Sequence, residues 1–568
     1  MSQYPPPNDH VPATLDATKW EELEPLYAGL LERPLKCAGC LESLLLDRSE
    51  LDAAASESGA TLYIDMTCHT DDESITSRYL QHVREVQPHL KEAGFKLDRH
   101  VVQCPHVDDL DQDRYGVLIR NMEADVNLFR EENIPLQTEE TELGTKYDEI
   151  CGAMEVEFRG EEYTMPQMGR FMQDNDREVR SEAWAATINR RYQEHEAIDG
   201  IFDEMVKLRA KMASNADCED YRDYMFKAMH RFDYGPADCE AFHQGVEKVC
   251  VPLQHEMNRQ RQAELGVDTL RPWDLEVDVK GRSPLLPFNG SDELVAGTSA
   301  IFHSMDPDLG SLFDRLKGGD CLDLETRKGK APGGYQYNRD RKRVPFIFMN
   351  AAGLQRDVET MIHEAGHAFH SMLSEDEPLV AYRHAPIEFA EVASMSMELL
   401  AHPYLEKFYS KEEADRARRQ HLEGVISTLA WVATIDAHQH CIYTHPDHTR
   451  DQRDIYWLEL HARFGPDVDW SGFEEQRAKF WHKQLHIFNV PFYYIEYGIA
   501  QLGALQLWSQ YRRDPKKAIA NYRRAMTLGG SQPLPKLFEA AELQFDFGPG
   551  IMELLMQDVQ EAMAELPA

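Results

Sequence analysis

Residues 363–367 read His-Glu-Ala-Gly-His, and Ala-Phe-His follows at 368–370. In a helix, residues four apart lie one turn apart on the same face, so His363 and His367 can both reach one Zn²⁺. Glu364 stands beside the first histidine, where its carboxylate can deprotonate a zinc-bound water. Apolar residues recur around the motif at helical spacing: Leu354, Val358, Met361, Ile362, Ala365, Phe369 and Met372. The stretch therefore predicts a helix over 354–375 that carries half of a metal site.

A catalytic zinc site needs a third protein ligand and an open fourth position. The pattern in which a glycine and then a third histidine follow on the same helix does not fit, because His and Leu occupy those positions here. A second predicted helix, IEFAEVASMSMELL at 387–400, brings Glu388, Glu391 and Glu398 to one face. Taken alone, these three glutamates would suit an ordinary solvated helix face. After the preceding motif we expect Glu391 as the third ligand, Glu388 as its rival, and Glu398 as a second-sphere residue that orients a ligand imidazole.

One stretch departs from the helical pattern and reads GKAPGGYQYNRDRKRVPFIFMN at 329–350. Residues 335–337 and 344–349 flank a polar turn, which predicts a β-hairpin directly before the HExxH helix. Pro345 would remove a ladder donor, so its strand is predicted to be a sheet edge. An edge there could pair with an extended peptide, and the PGG turn at 332–334 would let the peptide backbone come close. The candidate substrate-binding residues are Gly333, Gly334, Tyr335, Phe346 and Phe348.

Composition excludes several classes of protein. The 568 residues include 60 Lys and Arg against 99 Asp and Glu, a formal net charge of −39. Binding of nucleic acid or of an anionic membrane surface requires clustered basic residues, so neither partner is expected. No stretch approaches the roughly 20 apolar residues of a membrane-spanning helix, and the first residues lack a secretion signal. Ten cysteines, scattered singly apart from Cys37 and Cys40, are typical of reduced thiols and predict a cytoplasmic protein.

Beyond about residue 17 the sequence is dominated by helical periodicity with few alternating strands. The helical stretches are 118–135, 168–192, 197–213, 236–263, 354–375, 386–402 and 411–440. The predicted organisation is a loose arm at 1–15, an N-terminal helical region at 16–195 and a catalytic region at 196–568. The break at residue 195 rests on the end of a charged helical stretch.

Three motifs resemble the zinc peptidases of the oligoendopeptidase F and thimet oligopeptidase group. They are HEAGHAFH at 363–370, FAEVASM at 389–395 and the preceding GKAPGGY…PFIFMN. The motif sequences are most similar to those of oligoendopeptidase F, and the resemblance covers about residues 165–568. It implies a mostly α-helical, elongated, two-lobed zincin with a deep central channel and a small β-hairpin or sheet next to the HExxH helix. The first 160 or so residues are only loosely similar and would form part of the channel wall.

The resemblance also assigns roles to individual residues. His363, His367 and Glu391 match the ligands of one zinc ion per chain, and Glu364 matches the catalytic base. These roles agree with those that the helical spacing indicates.

A further run, HIFNVPFYYIEYG at 486–498, corresponds to a family histidine and closely spaced tyrosines that contact the scissile carbonyl. A helix starting at the proline of this run would place Tyr494 and Tyr497 on one face. His486, Tyr494 and Tyr497 are therefore expected to donate hydrogen bonds to the oxyanion, and Tyr493 is an equally good neighbour. Without the resemblance, aromatic core filling would be the default interpretation of this run.

The predicted function is zinc-dependent hydrolysis of short, unfolded oligopeptides, with Glu364 as general base on a zinc-activated water. One alternative is an exopeptidase of the same fold that releases C-terminal dipeptides, which would need a cationic group to capture the peptide carboxylate. Another is a non-catalytic peptide-binding scaffold whose zinc is structural. Structural zinc sites usually have four Cys or His ligands, which favours the enzyme.

Overall fold

The computed structural model describes residues 10–327, 329–331 and 333–567, apart from the side chains of residues 145, 148, 149 and 166. Most of these residues are helical, which confirms the predicted fold class. Residues 1–9 of the predicted N-terminal arm and the proline of the PGG turn lie outside the described residues. Among the helices of the described ranges, none is both long enough and apolar enough to cross a membrane.

The helices of the described residues run through the whole chain. The first twelve are α1 (Trp20–Leu31), α2 (Ala38–Cys68), α3 (Glu73–Glu85), α4 (Gln87–Val102), α5 (Gln112–Leu128), α6 (Asn133–Gly152), α7 (Met165–Met172), α8 (Arg177–Tyr192), α9 (His195–Asn215), α10 (Tyr221–Ala228), α11 (Pro236–Gly245) and α12 (Val251–Leu265). The others are α13 (Ser291–Met305), α14 (Pro307–Lys317), α15 (Gln355–Leu373), α16 (Val380–Arg383), α17 (Ile387–Leu400), α18 (Lys411–Thr444), α19 (Arg450–Phe464), α20 (Glu474–Ala478), α21 (Leu485–Asn489), α22 (Ile495–Arg513), α23 (Pro515–Met526), α24 (Leu534–Ala540) and α25 (Pro549–Glu565). The strands are β1 (Glu155–Phe158), β2 (Glu161–Thr164), β3 (Leu322–Glu325), β4 (Tyr335–Tyr337) and β5 (Phe346–Ala351).

The predicted helical stretches correspond to helices, but two of them are interrupted. The stretch 168–192 divides into α7 and α8, where the carboxylate of Asp176 accepts a hydrogen bond from the backbone N–H of Glu178 and caps the second helix. The stretch 118–135 likewise spans the end of α5 and the start of α6. Helical periodicity alone does not mark such breaks, because both halves bury an apolar face.

The described residues form two compact units, each assembled from three segments of the chain. Unit 1 comprises the described part of Met1–Asn127 together with Leu285–Arg418 and Ala500–Phe545. Unit 2 comprises Leu128–Pro284, Arg419–Ile499 and the described part of Asp546–Ala568. The predicted boundary between residues 195 and 196 falls within unit 2, in the first turn of α9, and stays a prediction.

Unit 1 contains a three-stranded sheet in the order β3-β5-β4. β4 pairs antiparallel with β5, with Tyr335 opposite Phe348, so the predicted hairpin is confirmed. β3 pairs parallel with the other side of β5. The prediction that residues 344–349 form an edge is therefore wrong. Pro345 comes just before β5 and takes no place in its ladder, and β4 is an edge of the sheet instead.

Unit 2 contains a hairpin that the sequence analysis did not predict. β1 and β2 pair antiparallel with Val156 opposite Tyr163. The turn between them consists of Arg159 and Gly160, both with positive φ, at 55° and 85°. Two successive left-handed residues match the right-handed twist of the strands they join. The glycine in this turn is the sequence signal that could have revealed the hairpin.

In unit 1, helices α15 and α17 approach each other so closely that only glycine fits at their contact. A Cβ atom on Gly366 would lie 2.5 Å from Cα of Ser394 and 2.8 Å from the carbonyl oxygen of Ala393. The hydroxyl of buried Tyr522 lies 3.4 Å from the carbonyl of Gly366 and 3.3 Å from that of Ala393, and donates to this pair. The two helices are thus fixed in register at the level of the HExxH motif.

We expect Gly366→Ala to lower the free energy of unfolding by about 1–3 kcal/mol, because the added methyl group meets backbone that must move. Chemical denaturation followed by circular dichroism measures this change. The matched control is Gly424→Ala in α18, where a Cβ meets nothing within 4 Å. That exposed helical position should become more stable, by about 0.5–1 kcal/mol. Equal stability of the Gly366 variant and the wild type would contradict the steric argument.

Candidate metal centre and catalytic residues

Helices α15 and α17 bring together three side chains of the kind that bind metal ions: His363, His367 and Glu391. Oε2 of Glu391 lies 3.4 Å from Nε2 of His363 and 3.6 Å from Nε2 of His367. The two imidazole rings are 4.9 Å apart, as expected for residues one helical turn apart. All three donor atoms therefore face one point between the helices.

The donor set fits a zinc ion. Zinc–ligand bonds of about 2.0–2.1 Å in tetrahedral geometry place neighbouring donor atoms about 3.3 Å apart. The two distances from Glu391, 3.4 and 3.6 Å, are close to this value. Two imidazoles and one carboxylate are also the ligand types of known catalytic zinc sites that keep one position open.

Hydrogen bonds behind the donors fix their orientation. Nδ1 of His363 lies 2.6 Å from Oε1 of Glu398, so the imidazole donates its proton there and presents the Nε2 lone pair to the centre. Oε2 of Glu391 accepts a hydrogen bond of 2.9 Å from the hydroxyl of Ser394. Glu398 thus lies where a second-sphere residue is expected.

The electrostatic surroundings of the centre are strongly negative. Burial disfavours the protonated form of both imidazoles, and it lowers the pKa of His367 to about 4. At His363 the carboxylates of Glu398 and Glu391 outweigh burial and raise the pKa to about 10. These surroundings favour a positive charge at the point that the three donors share.

Glu364 is buried beside the centre, on the same helix as the two histidines. Burial raises the pKa of its carboxyl to about 7, against the neighbouring His363, which lowers it. The backbone of Gln336, in the edge strand β4, favours the ionised form of this carboxyl and acts to lower its pKa. Glu364 is therefore able to exchange a proton near neutral pH.

Glu388 and His370 lie near the centre but do not belong to the described group of His363, His367 and Glu391. Glu388, the rival ligand, is buried on α17 but lies outside the cluster that contains Glu391. His370 is buried with its ring 5.9 Å from that of Phe389, and burial lowers its pKa to about 3. The ring contact of His370 with Phe389 packs α15 against α17.

The predicted substrate-binding residues separate into an exposed and a buried set. Gly333 and Gly334 are exposed before the edge strand β4. Tyr335 begins β4, and its hydroxyl hydrogen-bonds to that of Thr67 on α2 at 2.5 Å. These three residues stay candidates for contact with a substrate backbone.

The predicted role of Phe346 and Phe348 in substrate binding is wrong for their side chains. Phe348 is fully buried and Phe346 is 7% exposed. Both belong to the apolar core that β5 shares with Ile64 and Cys68 of α2. Because β5 is the central strand, its inward-facing aromatic rings fill the space under the sheet.

A second group of predicted catalytic residues lies in unit 2. The ring of His486 is 4.9 Å from that of Tyr494, 6.1 Å from that of Tyr497 and 6.0 Å from that of Tyr493. All three tyrosines thus remain neighbours of the histidine, and the choice between Tyr493 and Tyr494 stays open. α22 begins at Ile495, later than the sequence indicated, so Tyr494 precedes the helix and Tyr497 lies in its first turn.

Hydrogen bonds define the tautomer of His486. The indole N–H of Trp431 donates to Oε1 of Gln484 at 2.9 Å, so the amide nitrogen of Gln484 faces His486. This amide donates to Nδ1 of His486 at 2.6 Å. Nε2 therefore carries the ring proton and is the donor, and burial lowers the pKa of the imidazole and keeps it neutral. Burial raises the pKa of Tyr494 to about 12, so its hydroxyl also stays protonated.

Three residues that hold the tyrosine segment were not found by sequence reasoning. Phe492 has a φ of 66°, unusual for a residue with a side chain. Its N–H donates to Oε1 of Gln439 at 2.7 Å, and its carbonyl accepts from Arg231 at 2.6 Å. Arg231 also pairs with Glu496 at 2.7 Å. No local pattern marks Gln439 and Arg231, because Gln439 comes from α18 and Arg231 from the loop between α10 and α11.

Comparison with known proteins assigns the family. Residues 170–552 match the model of peptidase family M3, and residues 13–129 match the peptidase M3 N-terminal domain. The first match covers more than half of the chain, and the chain belongs to peptidase family M3. The predicted resemblance to the oligoendopeptidase F group is thereby confirmed.

Two curated relatives are similar over part of their length. The oligoendopeptidase F homolog of Borreliella burgdorferi is 26% identical over 229 residues, which are 38% of this chain and 37% of that protein. The oligopeptidase PepF of Bacillus subtilis is 25% identical over 259 residues, 42% of this chain and 38% of that protein. The matched part thus spans well under half the length of these two relatives.

The solved structure of PZ peptidase A with an inhibitor is similar over nearly the whole chain. Its TM-score is 0.89 at 26% identity, with 96% of this chain and 98% of that chain covered. The described residues therefore share the fold of this solved peptidase over nearly its whole length.

Zinc content distinguishes the two rival glutamates of α17. We expect Glu391→Gln to weaken zinc binding by more than the roughly 10–100-fold that loss of a second-sphere partner costs. Glu388→Gln, a buried control from the same helix, should keep the affinity of the wild type. Competition with a chromophoric chelator measures both. If Glu388→Gln loses zinc and Glu391→Gln retains it, the ligand assignment is wrong.

Proposed function

We propose that this protein is a zinc-dependent endopeptidase that hydrolyses short, unfolded peptides. The observation that carries the proposal is the group formed by His363, His367 and Glu391 next to the buried carboxyl of Glu364. Membership of peptidase family M3 and the names of the relatives, an oligoendopeptidase homolog and an oligopeptidase, support the same reaction and substrate class. Ten free thiols support a reducing, cytoplasmic setting.

His363, His367 and Glu391 would hold one zinc ion, and Glu398 and Ser394 would keep two of these ligands in orientation. A zinc ion bound there would polarise the scissile carbonyl and acidify the attacking water. His363 contributes its Nε2 lone pair, because its Nδ1 donates to Glu398. His367 contributes Nε2, which lies 3.6 Å from Oε2 of Glu391.

Glu364 serves as the general base and then as the general acid. Its carboxylate accepts a proton from the attacking water and returns it to the leaving amine. A carboxyl with a pKa of about 7 can do both, since neither protonation state is strongly disfavoured at neutral pH. The backbone of Gln336 favours the ionised form of Glu364, which is the form that accepts the proton.

His486 and a neighbouring tyrosine donate hydrogen bonds to the oxyanion of the tetrahedral intermediate. The support for this role is their protonation: Nε2 of His486 carries a proton, and the hydroxyl of Tyr494 stays protonated. Tyr497 offers a second hydroxyl from the first turn of α22. Such donors are aimed at charge that develops only in the transition state.

The substrate backbone pairs with the edge strand β4. It cannot pair with β5, because β5 already has a neighbouring strand on each side. Pairing with an edge strand recognises the main chain and tolerates many side chains. Gly333 and Gly334 lead into this edge, and Gly333 has a φ of 97°, which favours glycine. Recognition of this kind suits an enzyme that degrades peptides of varied sequence.

We expect Glu364→Gln to keep its zinc and to lose peptidase activity by about 10²–10⁴-fold, because the amide cannot accept the proton of the water. Hydrolysis of an internally quenched peptide and metal analysis of the same preparation measure both. Glu375→Gln, which removes only a surface pair with Arg315, is the control and should stay active. Full activity of Glu364→Gln would overturn the mechanism.

Blocking the C-terminus of the substrate distinguishes an endopeptidase from an exopeptidase that releases C-terminal dipeptides. We expect equal cleavage of a quenched peptide with a free and with an amidated C-terminus, since the proposed binding uses the main chain at an edge strand. Mass spectrometry of the products identifies the cleaved bond. Cleavage restricted to the free acid, with release of its terminal dipeptide, would favour the exopeptidase.

A further inference from the structure

A second group of metal-ligating side chains lies in unit 2, apart from the HExxH helix. Cys239 on α11 and Asp436 and His440 on α18 each place a donor atom within 4.8 Å of the other two. Their exposed fractions are 1%, 0% and 8%. Asp436 and His440 are four residues apart, so one helical turn presents both to the facing helix.

The hydrogen bonds of this group are incomplete. Oδ2 of Asp436 lies 2.8 Å from Nε2 of His243 and 3.2 Å from Nε2 of His440. Among the described residues, however, Oδ1 of Asp436 and Nε2 of His440 have no hydrogen-bond partner, although both atoms are buried. A buried polar atom without a partner is costly, and two such atoms in one group call for a ligand.

We propose that Cys239, Asp436 and His440 bind a divalent transition metal, zinc by preference. Thiolate, imidazole and carboxylate are the three side-chain types that bind zinc in proteins, and the thiolate selects against magnesium and calcium. The thiolate and the carboxylate carry two negative charges, which one divalent ion balances. A metal bound there would link α11 to α18 and stabilise their packing.

His243 supports the metal site from outside. It is four residues after Cys239 on α11, so the same helical face presents both side chains. Its Nε2–H donates to Oδ2 of Asp436 and leaves Oδ1 for the metal. Imidazole–carboxylate pairs of this kind commonly orient the ligands of a metal site.

Metal binding through His440 requires that Arg222 give up its contact with this imidazole. Its Nη1 lies 3.3 Å from Nδ1 of His440, whereas coordination through Nε2 puts a proton on Nδ1. The guanidinium then turns toward Asp220, whose carboxylate is 3.8 Å from Nη2. In the competing arrangement without metal, Arg222 donates to Nδ1, but among the described residues Nε2 of His440 and Oδ1 of Asp436 both lack a hydrogen-bond partner.

Cobalt tests the proposal, because a cobalt(II) ion bound to a thiolate gives a sulfur-to-metal charge-transfer absorption in the near ultraviolet. The group around His363 offers only nitrogen and oxygen donors, so this absorption reports a thiolate ligand outside that group, which the variants below assign. The full chain produced in cobalt-supplemented minimal medium is expected to show the band and to hold one metal ion more than the HExxH group binds. One metal ion per chain without the band would overturn the proposal.

Variants assign the band to its residues. Cys239→Ser should lose the band and one metal ion while peptide hydrolysis persists. The control Cys250→Ser replaces another buried thiol, whose sulfur contacts that of Met552, and should keep both signals. Glu391→Gln should keep the band while it loses the other ion, so failure at one site is distinguishable from failure at the other. A band that survives Cys239→Ser, or that disappears with Glu391→Gln, would contradict the assignment.

Discussion

The close contact of helices α15 and α17 at Gly366 is the constraint on which the candidate metal centre depends. His363 and His367 come from one helix and Glu391 from the other, so the distances between their donor atoms are set by the separation of two backbones. A side chain at residue 366 would push the helices apart, because its Cβ would lie 2.5 Å from Cα of Ser394, whereas ordinary contacts begin at 3.4 Å. The hydroxyl of Tyr522 adds a second restraint, because it bridges carbonyls of both helices. Steric fit and hydrogen bonding thus define the geometry before any ion arrives.

That geometry gathers more negative charge than the polypeptide itself neutralises. Glu364, Glu391 and Glu398 bring three carboxyl groups to a partly enclosed region with two imidazoles. Burying carboxylates is unfavourable unless they are paired and hydrogen-bonded. Glu398 has the imidazole of His363 and Glu391 has a serine hydroxyl, and a bound divalent cation would offset much of the charge that remains. Binding of the proposed ion would therefore be linked to folding of this region, since only the folded chain holds the three donors together.

The features that the sequence predicts correctly depend on local spacing, and the others depend on partners far along the chain. The HExxH helix follows from a period of 3.6 residues, and the β4–β5 hairpin follows from two short runs that flank a polar turn. The edge position of residues 344–349 was predicted wrongly because β3, more than twenty residues earlier, pairs with the second side of β5. Parallel strands are not joined by a hairpin turn, so no local sequence signal marks this pairing. The same applies to Phe492, whose left-handed backbone is held by Gln439 from α18 and by Arg231 from the loop after α10.

The two metal-ligating groups share the same arrangement of ligands on two helices but differ in solvent exposure. Each takes a pair of ligands one turn apart on one helix and its remaining ligand from a facing helix, which leaves few side-chain torsions to restrict on binding. The side chains of His363 and His367 are 24% and 19% exposed, whereas Asp436 is fully buried and Cys239 nearly so. Water and substrate must reach a catalytic metal, which needs an open coordination position, whereas a structural metal needs none. The difference in exposure therefore supports the proposed catalytic role of the first group and the proposed structural role of the second.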